Sequence, residues 1–74
     1  MPYVIYQKLV TEAKYSIDGK RHIHKLYLYP IPDNLRDLGI KACWNRGKKG
    51  ALRFYYKNHA QEIANKVDGI LEEA

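Results

Sequence analysis

Cysteine is almost missing from this chain: Cys43 stands alone among 74 residues, so no internal disulfide can form. A disulfide-stapled secreted scaffold is thereby excluded, and a reducing, cytoplasmic setting is expected. Long apolar runs are missing too. Nothing approaches the roughly 18 to 20 residues of a membrane-spanning helix. The N-terminal MPYVIYQKLV lacks a basic segment followed by a signal-like apolar one, so a soluble protein with no membrane partner is expected. Serine occurs once, at Ser16, and in no nucleophile elbow; there is no glycine-rich phosphate loop of the usual patterns and no close carboxylate pair on a predicted rigid element. Those gaps point away from an enzyme and away from any cofactor.

Acidic residues are scarce over most of the length. Residues 1–56 hold eleven Lys or Arg against four Asp or Glu, a net +7, whereas residues 57–74 hold two against four, a net −2. A small body polarised in this way attracts polyanions to one side. What the chain does have is aromatic and aliphatic weight, with seven tyrosines, one tryptophan and one phenylalanine, which is globular composition. Its length allows one domain, residues 1–74. A domain this small hides only about 60% of its unfolded surface, which makes a homodimer a reasonable expectation.

Period-two alternation over Leu9 to Asp18, with Leu9, Thr11, Ala13, Tyr15 and Ile17 on one side, predicts a half-buried strand, which Tyr3 to Lys8 would extend. Asp18-Gly19 supplies a tight turn into a second strand, Arg21 to Tyr29. A two-residue turn would set Ile17 against Lys20 and Glu12 against Lys25; a three-residue turn would shift the register by one, and both remain open. Pro30 and Pro32 end that strand. Residues 33–38 then predict a short helical turn opened by Asp33 and stopped by Gly39. A third strand is expected over Ile40 to Asn45 and a fourth over Ala51 to Tyr56, joined by the turn Arg46 to Gly50. Asn58, with Gln61 in the capping-box position, opens a C-terminal helix at about 59–72, whose apolar stripe is Ala60, Ile63, Ala64, Val67, Ile70 and Leu71. The expected class is therefore α+β: a small antiparallel sheet of three to four strands with the helix packed on one face.

His22 and His24 share one side of a strand and could join Cys43 or His59 around zinc, but four ligands at metal spacing are lacking. A solvated strand edge fits them better, and no metal site is expected. The basic and aromatic set is better populated. Lys20, Arg21 and Lys25 lie at the first hairpin, Arg46, Lys48 and Lys49 at the second, and Lys41, Arg53 and Tyr55 on one strand face between them. Together they could form a continuous positive surface that contacts phosphates, with Tyr55 stacking on a base and Gly47 and Gly50 allowing backbone approach. DNA is the expected partner, with RNA open. An acidic partner protein, met by a non-enzymatic inhibitor or adaptor, is the alternative.

Leu28 to Lys41, LYPIPDNLRDLGIK, resembles the AbrB-type swapped-hairpin DNA-binding proteins through Ile31-Pro32, Leu35-Arg36 and Leu38-Gly39-Ile40. Only Asp37 separates Arg36 from Leu38, one residue fewer than the family pattern, and the Gly-Asp turn that follows in the family is missing. The resemblance implies an intertwined, DNA-binding dimer with Arg36 among its contacts. In order of elements alone, three strands and a C-terminal helix also resemble the arm-binding domains of phage integrases. The functional expectation is a small basic DNA-binding regulator or accessory factor.

Overall fold

The structure is a computed structural model that describes all 74 residues. Its central element is an antiparallel sheet of four strands in the order β3-β2-β1-β4: β1 Tyr3–Thr11, β2 His22–Tyr29, β3 Cys43–Asn45 and β4 Ile70–Glu73. Two helices complete it, α1 Asp33–Arg36 and α2 Lys57–Lys66, with single 3-10 turns at Ala13–Tyr15 and Lys48–Gly50. The α+β class and the helix on one sheet face stand as the sequence predicts.

β1 begins at Tyr3, where β-branched and aromatic residues cluster, and it stops at Thr11. Residues 13–18, expected to continue the strand, turn instead: Ala13–Tyr15 coil into a 3-10 turn, and Gly19 at φ +70 closes the loop. The β1–β2 register pairs Thr11 with His22, Leu9 with His24 and Lys8 with Lys25, so neither tight-turn register holds. Glu12 does not oppose Lys25, because the hairpin loop runs from Glu12 to Arg21 and takes the alternating residues Ala13 to Ile17 out of the ladder.

Alternation along the strands defines two faces. On one lie Ile5, Leu28, Trp44 and Leu71, and there α2 packs through Ala60, Ile63, Ala64 and Val67, with Leu52 and Phe54 filling in beside them. On the other lie Val4, Tyr6, Lys8, Val10, Ile23, Lys25, Tyr27, Tyr29, Ile70 and Glu72. No α-helix covers this second face. Only residues 47–51 fold across one end of it, burying Val4, Tyr27 and Ala51 with Tyr6 and Tyr29 alongside. The predicted fourth strand, Ala51 to Tyr56, forms no strand. It crosses the end of the sheet, where Leu52 N–H donates to Leu28 O and Phe54 exchanges a pair of backbone hydrogen bonds with Tyr3.

The predicted helix over 59–72 is shorter and starts earlier. α2 ends at Lys66, Asp68 takes φ 54 and Gly69 N–H bonds back to Ala64 O. A Cβ on Gly69 would lie 2.3 Å from Ile5 Cγ2, so only glycine lets the chain pass so close to β1. Ile70 to Glu73 then form β4 against Tyr3 to Tyr6. The expected capping box is not formed: Tyr56 is the N-cap residue, without a side-chain cap, and Gln61 Nε2 donates instead to Asn65 Oδ1. The short helix ends at Arg36, before the expected Gly39, which takes φ +82 in the turn that follows; Pro32 is the N-cap residue and Asp33, expected to cap the helix, lies in its first turn without a capping bond.

Candidate nucleic-acid interface

The uncovered sheet face carries the chain's most concentrated arrangement of cations and tyrosines. Lys8 and Lys25 stand directly opposite one another on neighbouring strands, a like-charge pair that costs stability in isolation. Tyr6 lies beside them, with Lys25 Nζ 4.6 Å from its ring centroid. The ring of Tyr6 tilts at 53° against that of Tyr27, with centroids 6.1 Å apart. Lys48 reaches onto the same face from the 3-10 turn, and Lys49 beside it is exposed.

One carboxylate sits among these cations. Glu72 on β4 accepts hydrogen bonds from Lys25 Nζ at 2.7 Å, through Oε2, and from Lys48 Nζ at 2.7 Å, through Oε1, with the Tyr27 hydroxyl at 3.4 Å. Lys48 Nζ also donates to the Glu73 carbonyl at 3.1 Å. The hydrogen bonds from Lys25 and then Lys48 hold the Glu72 carboxyl below the usual glutamate range, and the Glu72 partner raises Lys25. The acidic tail is therefore not segregated from the basic side. β4 runs along the sheet edge and delivers one of its two glutamates to the open face, because α2 stops at Lys66 and the register that follows sets Glu72 opposite Val4.

The sequence-predicted site residues scatter more widely than one surface. Lys25 and Lys48 belong to the open face, and Lys49 is exposed on the 3-10 turn next to Lys48. Lys20 and Arg21 are exposed in the hairpin loop. Arg46 lines a shallow cleft on the α2 side of the sheet, with Thr11, His22, His24 and Asp18. Lys41 and Arg36 are exposed on the β2–β3 connection, and Arg36 is weakly tied to Asp33 at 3.9 Å. Arg53 and Tyr55 are exposed on the segment that crosses the sheet end. Gly47 and Gly50 have a packing reason: a Cβ on either would come within 2.8 Å of Tyr29, whose hydroxyl donates to the Gly47 carbonyl. They are small so that the tyrosine ring can wedge beneath the turn.

In the cleft, the anionic position is already filled from within. Asp18 accepts from the Ser16 hydroxyl at 2.6 Å, the Lys20 N–H at 2.9 Å and His22 Nε2 at 2.9 Å. Led by the Ser16 bond, these hold its carboxyl at about 2. The rings of His22 and His24 stack at 6.1 Å.

Sequence reasoning missed Lys8, Tyr6 and Glu72. Tyr3 to Lys8 extends the strand as expected, but it has no clean polar face to single out Tyr6 and Lys8, and the helical spacing places Glu72 at the end of the expected helix over 59–72. Three comparisons with known proteins, against family models, curated proteins and solved structures, each return no match to this chain.

Proposed function

We propose that this chain is a small, non-enzymatic nucleic-acid-binding protein, a DNA-binding regulator or accessory factor, that engages phosphates through its open sheet face and hairpin loop. The observation that carries this reading is the cross-strand pair Lys8 and Lys25, set beside Tyr6 on a face that no helix covers. Lys8 has no carboxylate partner within the chain while Lys25 is shared with Glu72, so a polyanion would meet Lys8 directly and compete with Glu72 for Lys25, and the tyrosine offers a surface for a sugar or a base. Lys20 and Arg21 extend the positive field along the hairpin, and Lys48 and Lys49 extend it over the 3-10 turn. Such contacts give affinity with little sequence preference. The reading rests on this face and not on the likeness at Leu28 to Lys41.

The test is titration of the full chain with labelled duplex DNA, and separately RNA, across a salt series. Log affinity should fall with log salt, and the double replacement Lys25→Gln with Lys49→Gln should reduce that slope by about 1 per lysine removed. Lys57→Gln with Lys66→Gln makes the same change in net charge on α2 and should leave the slope nearly intact. Equal losses from both doubles would mean generic attraction and would remove the proposed surface.

A second reading, a module binding an acidic partner protein, is favoured by the exposed aliphatics Val10 and Ile23 beside the same lysines. It predicts a shallow salt slope and no binding to either nucleic acid.

A further inference from the structure

Beyond residue 6 on β1 and before residue 27 on β2, the sheet narrows to a two-stranded ribbon. β4 pairs only with Tyr3 to Tyr6, and β3 pairs only with Tyr27 to Tyr29. In strand pairing, Gln7 to Thr11 and His22 to Leu26 therefore have only each other, although the Gln7 side chain reaches the Val67 carbonyl and that of Lys25 reaches Glu72. Tyr3 exchanges backbone hydrogen bonds with Phe54, while the Pro2 carbonyl accepts from Ala74 at the end of β4. Even-numbered residues of β1 thus aim their backbone groups at the β4 side, and beyond β4 those of Lys8 and Val10 face an open edge. Leu9, Val10 and Ile23 on the ribbon and Tyr15 and Ile17 in its loop are all exposed, Ile17 completely.

The whole-molecule dimensions point the same way. The radius of gyration is 14.0 Å, against about 11 Å for a compact chain of this length. The accessible surface is 5681 Å², against ~4,700 Å² for a folded monomer of this mass. The excess, on the order of 1,000 Å², is close to what one partner contributes to a standard stable interface.

We infer that the free edge of β1 pairs with the same edge of a second copy of this chain, antiparallel about a two-fold axis at Val10. In that register Val10 meets Val10 of the second copy, and Lys8 meets Glu12 of the second copy, a favourable cross-strand charge pair that the axis repeats. Both are hydrogen-bonded positions, because even residues of each strand face the open edge. Ile23, Val10 and their two counterparts then form one aliphatic row across the joined sheets. The opposite edge of the ribbon is the poorer choice: pairing β2 with itself about Ile23 would set Lys25 against Arg21 of the second copy, like charge on like charge. Neighbouring lysines are a common guard against edge pairing, and Glu12 is what answers Lys8 here.

Sedimentation equilibrium of the full chain over a dilution series tests this. Wild type should be a dimer that dissociates on dilution. Lys8→Glu and Glu12→Lys should each weaken the dimer by about tenfold, since each turns two attractive pairs repulsive. The double variant, K8E with E12K, should restore it. Val10→Pro removes only a backbone donor that faces the open edge, and it should give a monomer whose circular dichroism spectrum stays folded. If Val10→Pro fails to fold, the charge-swap series decides alone. A wild type that stays monomeric at the highest concentration, or a dimer untouched by the single charge reversals, overturns the inference.

Discussion

Glu72 places one carboxylate between two lysines that would otherwise be free for an external anion, so it competes with any phosphate for Lys25 and Lys48. Glu72→Gln should raise DNA affinity on the order of fivefold, the equivalent of one released, partly exposed ion pair. Glu62→Gln, which changes net charge equally on α2, should do much less; direct titration of both variants compares them. The same group sets a pH dependence. Its carboxyl is held below the ordinary value of 4.5, so its contribution to stability is complete above that value and is lost as pH falls through the lower folded one. Urea unfolding across this acid range should show that loss, and Glu72→Gln should lessen it. Gly69→Ala should destabilise by about 3 kcal/mol, because the new methyl group would meet Ile5 in the core. The sequence displays Gly69 only as a poor helix residue. Its real constraint is a close approach between segments more than sixty residues apart, and no local pattern encodes that.

Among the elements, α2 and β4 depend on a contact that spans nearly the whole chain. Gln7 on β1 donates through Nε2 to the Val67 carbonyl at 2.9 Å, satisfying an acceptor at the end of α2 just where the chain turns into β4. Replacing it by alanine should lower stability by about 1 kcal/mol, read from urea unfolding followed by circular dichroism. The apolar stripe of α2 was legible because Ala60, Ile63, Ala64 and Val67 recur at helical spacing and pack as that spacing requires. The stripe continued falsely into Ile70 and Leu71. These two satisfy a helical period as well as a strand's alternation, and only the left-handed Asp68 and the crowded Gly69 decide between them. Leu52, Phe54 and Tyr56 misled in the opposite way. They alternate as a strand would, yet they carry the chain around the end of the sheet, with a single bridge to Tyr3. Of the candidate site, the basic turn residues were visible in sequence, while the pairing of Lys8 with Lys25 depends on a long hairpin loop whose length alternation alone cannot fix.

The molecule as a whole measures 40 × 31 × 21 Å and buries only seven residues, so its packed body is small and its ribbon projects from it. Amide hydrogen exchange should divide along that boundary, with β1 from Val4 to Tyr6 and β2 from Tyr27 to Tyr29 exchanging slowly. At high protein concentration the amides of Lys8 and Val10 should become protected while those of Ile23 and Lys25 do not, an asymmetry that a merely stiff hairpin would not produce. Trp44 sits in the layer beneath α2, turned away from the open face. Its emission is thus a gauge of whether that helix is seated and is blind to whatever touches the lysines. A screen that followed intrinsic fluorescence would score a genuine ligand as inert, so the optical reporter has to be carried by the nucleic acid.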